Sequence, residues 1–432
     1  MKTLLCSLVL FALPFLSSAQ TSLENNPWPE IRKERIEQLL PDAMRAADVD
    51  AWLIICRENA NDPLAKHIGC ENAGKTAVFL FYFDDNNFHS KAFSPIGEAT
   101  ALADNKVLQE VVAVARDASA IQMAGTFLQS LELQGIAINS FSDNPQADGL
   151  SHSQYVKLTE SLGATLNAKL VSSERLVYEW LAVKLPAEVE IMRKAAALTA
   201  QWQVEAYAQI VPGKTTDAEV AAFLKQKMKD AGVTDAWAPD QNPNVVSGTD
   251  RGHSHATNRV IQAGDVIQTD FGIRVYDKWV TDIQRFAYVL KPGETSPPKD
   301  IAYYWESAKQ GRDAAFDAME PGATGQSVDA AQREVMQATR SRPVMWSTGH
   351  PVGYVAHDSG PAFSDGLSET PRAEAMRPLK PGMTFAFDGF HSWLLDSGQP
   401  KTISVEEMVV ITENGAEYLI PPQLDLVLIR SK

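Results

Sequence analysis

Two acidic residues inside apolar, strand-like stretches constrain the fold of this chain more than any other feature. The stretch GDVIQTDFG, residues 264–272, contains Asp270, and KWVTDIQRFAYVL, residues 278–290, contains Asp282. A short turn around Asp277 would join the two as neighbouring strands. Burying a carboxylate among such residues is costly unless a partner compensates its charge. One buried Asp can be satisfied by backbone N–H groups, whereas two on adjacent strands favour a bound cation.

The same pattern occurs a second time near the end of the chain. Asp388 follows Gly382 by six residues, as Asp270 follows Gly264, and a second apolar stretch containing Glu406 comes next. A Pro-Gly turn followed by a helical pattern also precedes each copy. From about residue 187 onward we therefore predict a duplicated helix-helix-strand-strand unit. A pseudo-twofold between its halves would direct all four acidic side chains into one cavity.

Residues 20–186 are interpreted as a separate α/β domain. An amphipathic helix over residues 31–44, interrupted or kinked at Pro41, opens it. Buried strands then alternate with helices in a pattern typical of βαβ units. The predicted strands are residues 50–55, 76–82 and 134–138, and the predicted helices between them are residues 107–115 and 121–133. None of these strands is followed by a phosphate-binding loop or a glycine-rich dinucleotide motif.

The first 19 residues predict a secretory signal peptide, with an apolar run and cleavage after Ala19. The mature protein is therefore expected to be exported, in the periplasm or secreted. The net charge of −15 argues against nucleic acid as a partner, and no other apolar run is long enough to predict membrane insertion. Of the two cysteines that remain, Cys56 ends an apolar strand and is interpreted as a core thiol, although export leaves a disulfide with Cys70 open.

A histidine-rich stretch completes the pattern. Residues 347–361, STGHPVGYVAHDSGP, contain His350 and His357. The order GHxxGxxxHD, combined with the acidic strands, resembles the pita-bread metallopeptidases, which include prolidase, aminopeptidase P, methionine aminopeptidase and creatinase. The resemblance covers the whole mature chain, because prolidase and aminopeptidase P have a similar creatinase-type N-terminal domain. It implies an α/β domain, residues 20–186, followed by an α+β pita-bread domain of two pseudo-symmetric halves, residues 187–432.

The resemblance implies a site for two divalent metal ions. Mn²⁺ is the first expectation, and Co²⁺ and Zn²⁺ stay open, since oxygen ligands with a single imidazole suit all three. Asp282 and Glu406 would bridge the ions, and Glu406 is preferred over Glu407 because the first acid of this strand is the ligand in the family. The implied ligands are Asp270, Asp282, His350, Asp388 and Glu406.

Histidines outside the ligand set are expected to face the substrate. The resemblance places His357 near the substrate carbonyl, where an imidazole can stabilise a developing oxyanion. It also implies an upstream histidine from the loop before Asp270. The spacing favours His253, and His255 stays open.

The implied activity is hydrolysis of Xaa-Pro bonds by a dinuclear exopeptidase, with metal-bound hydroxide as the nucleophile. The partners would be short proline-containing peptides, and the choice between dipeptides and longer peptides stays open. Family members are often dimers, so the resemblance leaves a homodimer open. Two alternatives remain, a catalytically impaired binding protein of the same fold and a creatinase-like C–N hydrolase without metal.

The chain departs from the family pattern at Asp388. The family usually has Glu followed by Pro-Gly, whereas this chain has Asp388, Gly389 and Phe390. Because Asp is one methylene shorter, its carboxylate would recede by roughly 1–1.5 Å, more than metal–ligand distances tolerate. We expect the strand to shift inward, with Gly389 and the missing proline giving it freedom. A second departure is Gln284, at a position where Thr is common.

Overall fold

The computed structural model describes residues 25–59, 61–70, 74–252, 254–364 and 370–430. The predicted signal peptide and His253 lie outside these residues. Within them, no helix combines the length and the apolar character that crossing a membrane requires.

The N-terminal half is built on one mixed sheet. Its strands are β1 (Ala51–Cys56), β2 (Ala77–Asp84), β3 (Asn87–Pro95), β4 (Glu110–Val114), β5 (Ile136–Ile138) and β6 (Leu170–Ser172). They lie in the order β4-β3-β2-β1-β5-β6. The three predicted strands are confirmed as β1, β2 and β5. However, β1 pairs antiparallel with β2 and parallel with β5, so the expected βαβ pattern holds only in part.

The opening helix of this half is interrupted earlier than predicted. A π-helical turn at Arg35–Leu39 separates its two parts, and Pro41 lies in the first turn of the second part. Proline is tolerated there because the first turn of a helix leaves its N–H groups unbonded. The described α-helices of this half are α1 (Trp28–Glu34), α2 (Leu40–Ala46), α3 (Ala65–Ile68), α4 (Ile96–Asp104), α5 (Ala120–Leu128), α6 (His152–Asn167) and α7 (Glu174–Ala182).

Two predictions for this half are wrong. Residues 107–115 do not form a helix, because residues 110–114 are the edge strand β4, which runs parallel to β3. The three valines of β4 suit a half-exposed sheet surface. Cys56 is not a free thiol but is disulfide-bonded to Cys70. The segment after β1 brings the two Cα atoms to 6.4 Å, which is within the reach of a disulfide.

The C-terminal half contains the predicted duplication. Its first copy consists of α8 (Pro186–Ala208), α9 (Asp217–Ala231), β7 (Thr234–Asp235), β8 (Asn244–Ser247), β9 (Val266–Phe271), β10 (Ile273–Val275), β11 (Trp279–Val280) and β12 (Ile283–Leu290). The second consists of α10 (Lys299–Asp317), α11 (Gly325–Ala338), β13 (Gly349–Pro351), β14 (Thr384–Leu394), β15 (Pro400–Thr412) and β16 (Gly415–Tyr418). The last strand, β17 (Val427–Arg430), returns to the first copy, and the two main sheets have the orders β17-β12-β9-β8 and β13-β14-β15-β16.

The two copies share backbone features that explain why the sequence repeats. Gly264 and Gly382, which precede the acidic strands, have φ values of 93° and 87°, a conformation that glycine adopts without strain. Thr216 and Thr324 cap α9 and α11 in the same way, each side chain accepting from a backbone N–H three residues further on. The same turn chemistry therefore positions the helices and acidic strands of both copies.

The second predicted strand is interrupted at Asp282. Before it, β11 pairs with β10 in a small three-stranded sheet, whereas β12, after it, pairs with β9 in a main sheet. Thr281 lies at the break, with its hydroxyl 2.7 Å from that of Thr199 on α8. Asp282 therefore lies where the chain passes from one sheet to another.

Candidate metal centre

Four carboxylates from both copies line one cavity of about 780 Å³. Asp270 lies on β9 and Asp282 directly before β12. Asp388 and Glu406 are directly opposed residues of β14 and β15, so their side chains share one face of the sheet. His350 joins them from β13, which pairs with β14.

Three of these side chains lie close enough to share one metal ion. One ligand atom from each of Asp282, His350 and Glu406 lies within 4.8 Å of the other two. His350 Nε2 is 3.8 Å from Asp282 Oδ2 and 3.9 Å from Glu406 Oε1. Asp270 and Asp388 line the same cavity outside this group of three.

Burial and neighbouring carboxylates oppose the ionisation of three of the four acids. All four are at most 8% exposed. Burial raises the pKa of Asp282 well above its ordinary value, and the neighbouring Asp270 and Asp388 raise it further. Burial also raises the pKa of Asp388 and of Glu406, and the surrounding carboxylates add to both shifts.

Two oxygens of this cluster lack a hydrogen-bond donor. Oδ1 of Asp388 and Oε2 of Glu406 are buried without a hydrogen-bond partner among the described residues. A buried polar atom without a hydrogen-bond partner destabilises the fold by about 1–3 kcal/mol, so such atoms are rare in native proteins. A divalent cation would supply both a ligand bond and positive charge. The donor set of carboxylate oxygens and one imidazole therefore fits a metal site.

The two adjacent acids of β15 have different surroundings. Glu407 is paired with Arg285 at 2.9 Å, whereas Glu406 lines the cavity. The side-chain amide of Gln284 offsets a small part of the rise in the pKa of Glu406. The amide oxygen of Gln284 accepts from the Ser404 hydroxyl at 2.6 Å, which fixes the orientation of the amide.

The strand around Asp388 is held in place by a helix. A Cβ atom at Gly389 would lie 2.1 Å from the carbonyl oxygen of Ala308 and 2.5 Å from the backbone nitrogen of Arg312, both on α10. The expectation that Gly389 gives this strand freedom is therefore wrong, because glycine is needed there for close packing against α10. Burial and Asp270 raise the pKa of Asp388, and Arg333 on α11 offsets only part of the rise.

The predicted substrate histidines differ in their placement. His357 lines the cavity, and its ring centroid is 4.3 Å from that of His350, with the two rings inclined at 75°. His255 is exposed and is not among the residues that line the cavity. The structure therefore brings His357, but not His255, to the acidic cluster.

Residues 190–413 match the sequence profile of metallopeptidase family M24. The chain belongs to this family. It is 28% identical over 241 residues to a probable dipeptidase PepE of Mycobacterium tuberculosis, a match that covers 54% of this chain and 57% of the relative. It is 27% identical over 293 residues to an Xaa-Pro dipeptidase of Pyrococcus furiosus, covering 63% and 77%. This M24 chain thus spans little more than half the length of its PepE relatives.

Solved structures share the fold of the M24 chain. Dipeptidase PepE from Mycobacterium ulcerans superposes with a TM-score of 0.67 at 21% identity, over 93% of this chain and 99% of the other. An Xaa-Pro dipeptidase from Bacillus anthracis gives a TM-score of 0.66 at 19% identity, over 92% and 100%. These similarities confirm the predicted pita-bread fold with its preceding α/β domain.

The sequence patterns of the M24 chain did not predict several other residues that line the cavity. Arg251, Arg274 and Trp346 line the cavity together with the acids. Arg274 donates to the carbonyl oxygens of Tyr354 at 2.7 Å and Ala236 at 3.1 Å, residues 80 and 38 positions away. No local spacing identifies such residues, because long-range contacts place them.

The raised pKa values predict how the metal-free protein responds to pH. Consider an acid whose pKa is higher in the folded chain than in the unfolded chain. As the pH rises from the unfolded-state pKa to the folded-state pKa, this acid progressively lowers the stability of the fold. At about pH 8 with a chelator, Asp282→Asn should therefore unfold at a higher temperature than wild type. The difference should shrink towards about pH 3, where the acids are largely protonated in both states.

Differential scanning calorimetry measures the unfolding temperatures of the wild type and of Asp282→Asn. Asp300→Asn, which removes an exposed acid of α10, should behave like wild type. Added Mn²⁺ should reverse the order by stabilising wild type alone. A metal-free wild type that is more stable than Asp282→Asn at about pH 8 would contradict repulsion within the cluster.

Proposed function

We propose that this M24 chain is an exported, dinuclear metal-dependent exopeptidase that hydrolyses Xaa-Pro peptide bonds. The convergence of four buried acids and His350 beside His357 carries the proposal. The similarity to an Xaa-Pro dipeptidase supports proline after the scissile bond. A cavity of about 780 Å³ falls within the range of small-molecule sites, which supports short peptides as substrates.

The proposed ligands divide between two ions. Asp282 and Glu406 would bridge them, since a carboxylate offers two oxygens, while Asp270 would hold one ion and His350 and Asp388 the other. This donor set suits Mn²⁺ first, and also Co²⁺ or Zn²⁺. Bound there, the ions would activate a water molecule and polarise the substrate carbonyl.

Residues of the chain itself would orient the reacting groups. His357 would donate a hydrogen bond to the carbonyl oxygen of the scissile bond, where negative charge develops. Gln284, which lines the cavity beside Glu406, would help to orient this carboxylate. Trp237 and Phe390 form part of the cavity wall and would limit the access of water to the bound peptide.

Export and self-association complete the proposal. Residues 1–19 have the sequence of a signal peptide, and a Cys56–Cys70 disulfide suits an oxidising compartment. The proposed homodimer rests on the family resemblance alone. Nucleic acid is not a proposed partner, because a net charge of −15 would repel phosphates.

Peptide hydrolysis tests this function. The protein from residue 20 onward, loaded with Mn²⁺, should cleave Ala-Pro, Leu-Pro or Ala-Pro-Ala and leave Ala-Ala intact, as followed by chromatography of the products. The double variant Asp270→Ala/Asp282→Ala should lose metal and nearly all hydrolysis, because both acids are proposed ligands. Asp300→Ala, at an exposed position of α10, should match wild type.

Each alternative gives a different result in these assays. Two equivalents of Mn²⁺ retained by the double variant would contradict the ligand assignment. Metal binding without any hydrolysis would favour the impaired binding protein, above all if Asp388→Glu alone restored activity. Metal-independent hydrolysis of a creatine-like C–N bond would favour the creatinase-like enzyme.

His357→Ala should separate metal binding from catalysis. The variant should retain its metal and lose roughly 10²- to 10³-fold in kcat, the usual effect of removing one oxyanion donor. Metal analysis and steady-state kinetics measure the two quantities. His255→Ala, at an exposed position outside the cavity, is the matched control and should keep kcat near the wild-type value. Loss of metal in His357→Ala, with retention in His350→Ala, would show that the roles of His350 and His357 are exchanged.

A further inference from the structure

A fully buried ion pair links the N-terminal half to the C-terminal half. Arg35 lies in the π-helical turn and Glu188 in the first turn of α8, and Arg35 Nη1 is 2.7 Å from Glu188 Oε2, with both side chains 0% exposed. Arg35 also donates to the carbonyl oxygens of Val183, at 2.8 Å, and Trp180. Neither Arg35 nor Glu188 lines the cavity, so the proposed mechanism does not use them.

The other oxygen of Glu188 reaches two segments of the metal centre. Oε1 accepts from the Trp279 indole at 3.0 Å and from the Tyr354 hydroxyl at 2.5 Å. Trp279 precedes Asp282 by three residues. Tyr354 lies in the segment of residues 350–357, which starts at the end of β13, continues as a loop and is called here the histidine loop. One carboxylate therefore contacts both the segment that leads to a proposed bridging ligand and the loop with both site histidines.

Tyr354 is held at three points. Its hydroxyl binds Glu188, and its backbone N–H donates to Asp358 Oδ2 at 2.8 Å. Its ring lies between two buried cations, with Arg35 at 5.3 Å and Lys184 at 4.8 Å from the centroid. Lys184 Nζ is also 3.3 Å from Asp358, the residue after His357. These contacts fix the middle and the end of the histidine loop.

Arg35 keeps Glu188 ionised, so that Glu188 can accept hydrogen bonds from both Trp279 and Tyr354. Burial alone would raise the pKa of Glu188, but Arg35 and hydrogen bonds from Tyr354 and Leu185 hold it below its ordinary value. An ionised carboxylate only accepts hydrogen bonds, so both rings can donate to one oxygen. Removing Arg35 would leave a buried charge uncompensated, which is strongly unfavourable.

We propose that Arg35 and Glu188 are positioning residues, through which the N-terminal half fixes Asp282 and the loop of residues 350–357 relative to each other. The inference rests on the proposed metallopeptidase function. Metal–ligand distances tolerate only about 0.2 Å, and losing the outer hydrogen-bond partners of a metal site lowers affinity or activity roughly 10- to 100-fold. The N-terminal half then helps to position the metal ligands.

Two tryptophans provide a matched test. Trp279 and Trp52 are both fully buried and each donates one indole hydrogen bond, Trp279 to Glu188 at 3.0 Å and Trp52 to Asn139 at 2.8 Å. Trp279→Phe and Trp52→Phe should therefore lose similar stability in urea unfolding. Only Trp279→Phe should bind Mn²⁺ at least about tenfold more weakly in calorimetric titrations of the metal-free protein. It should also lower kcat for an Xaa-Pro peptide by about tenfold at saturating Mn²⁺, with little change in KM.

Two conservative variants refine the test. Tyr354→Phe removes one hydroxyl and keeps the ring, so it should weaken Mn²⁺ binding with a smaller loss of stability than Trp279→Phe. Arg35→Lys keeps the positive charge beside Glu188 and should retain more Mn²⁺ affinity than Arg35→Met. A purely structural role would leave the Mn²⁺ affinity of these folded variants at the wild-type value.

The outcomes distinguish this inference from the proposed function. Folded Trp279→Phe and Tyr354→Phe proteins with wild-type Mn²⁺ affinity and kcat would overturn the inference alone, as would an equal loss in Trp52→Phe. A wild-type protein that binds Mn²⁺ without hydrolysing any Xaa-Pro peptide would overturn the function, while the Mn²⁺ affinities of the variants would still decide the inference. A wild-type protein that binds none of Mn²⁺, Co²⁺ and Zn²⁺ would overturn both.

Discussion

Four carboxylates share one buried cavity, and burial together with neighbouring carboxylates makes three of them harder to ionise. Burial and mutual repulsion raise the pKa values of Asp282, Asp388 and Glu406, and two of their oxygens have no donor among the described residues. A protein interior does not sustain several like charges without compensation. The proposed metal ions would supply that compensation, and the surrounding structure serves to hold the acids in place against their repulsion.

Duplication is the means by which the fold brings these acids together. Each copy delivers an acid six residues after a glycine with positive φ, and the two main sheets then present both sets to one cavity. The copies are not identical, since Asp282 lies where the chain changes sheets whereas Glu406 lies within the long strand β15. The first copy therefore depends on outside contacts, such as those of Trp279 with Glu188, to fix its second acid.

Local patterns predicted the parts of the structure that local interactions determine. Glycine spacing, apolar strands and Pro-Gly turns indicated the duplicated unit, and family resemblance supplied the fold. Contacts between distant segments left no such signal. The valines of β4 fit a helical pattern, but pairing with β3 makes them a strand. Gly389 was expected to give its strand freedom, but α10 packs closely against it. Glu188 contacts Trp279 and Tyr354, which lie 91 and 166 residues further along the chain. Tertiary packing decides these features, and the sequence alone does not reveal it.

Anomalous X-ray diffraction from crystals grown with Mn²⁺ tests the metal centre most directly. Two manganese peaks about 3.5–4 Å apart are expected in the cavity. Asp282 and Glu406 should contact both peaks, Asp270 should contact one, and His350 and Asp388 should contact the other. A single peak would contradict a dinuclear centre. The absence of any peak among the four acids would contradict the proposal that their charge is compensated by metal.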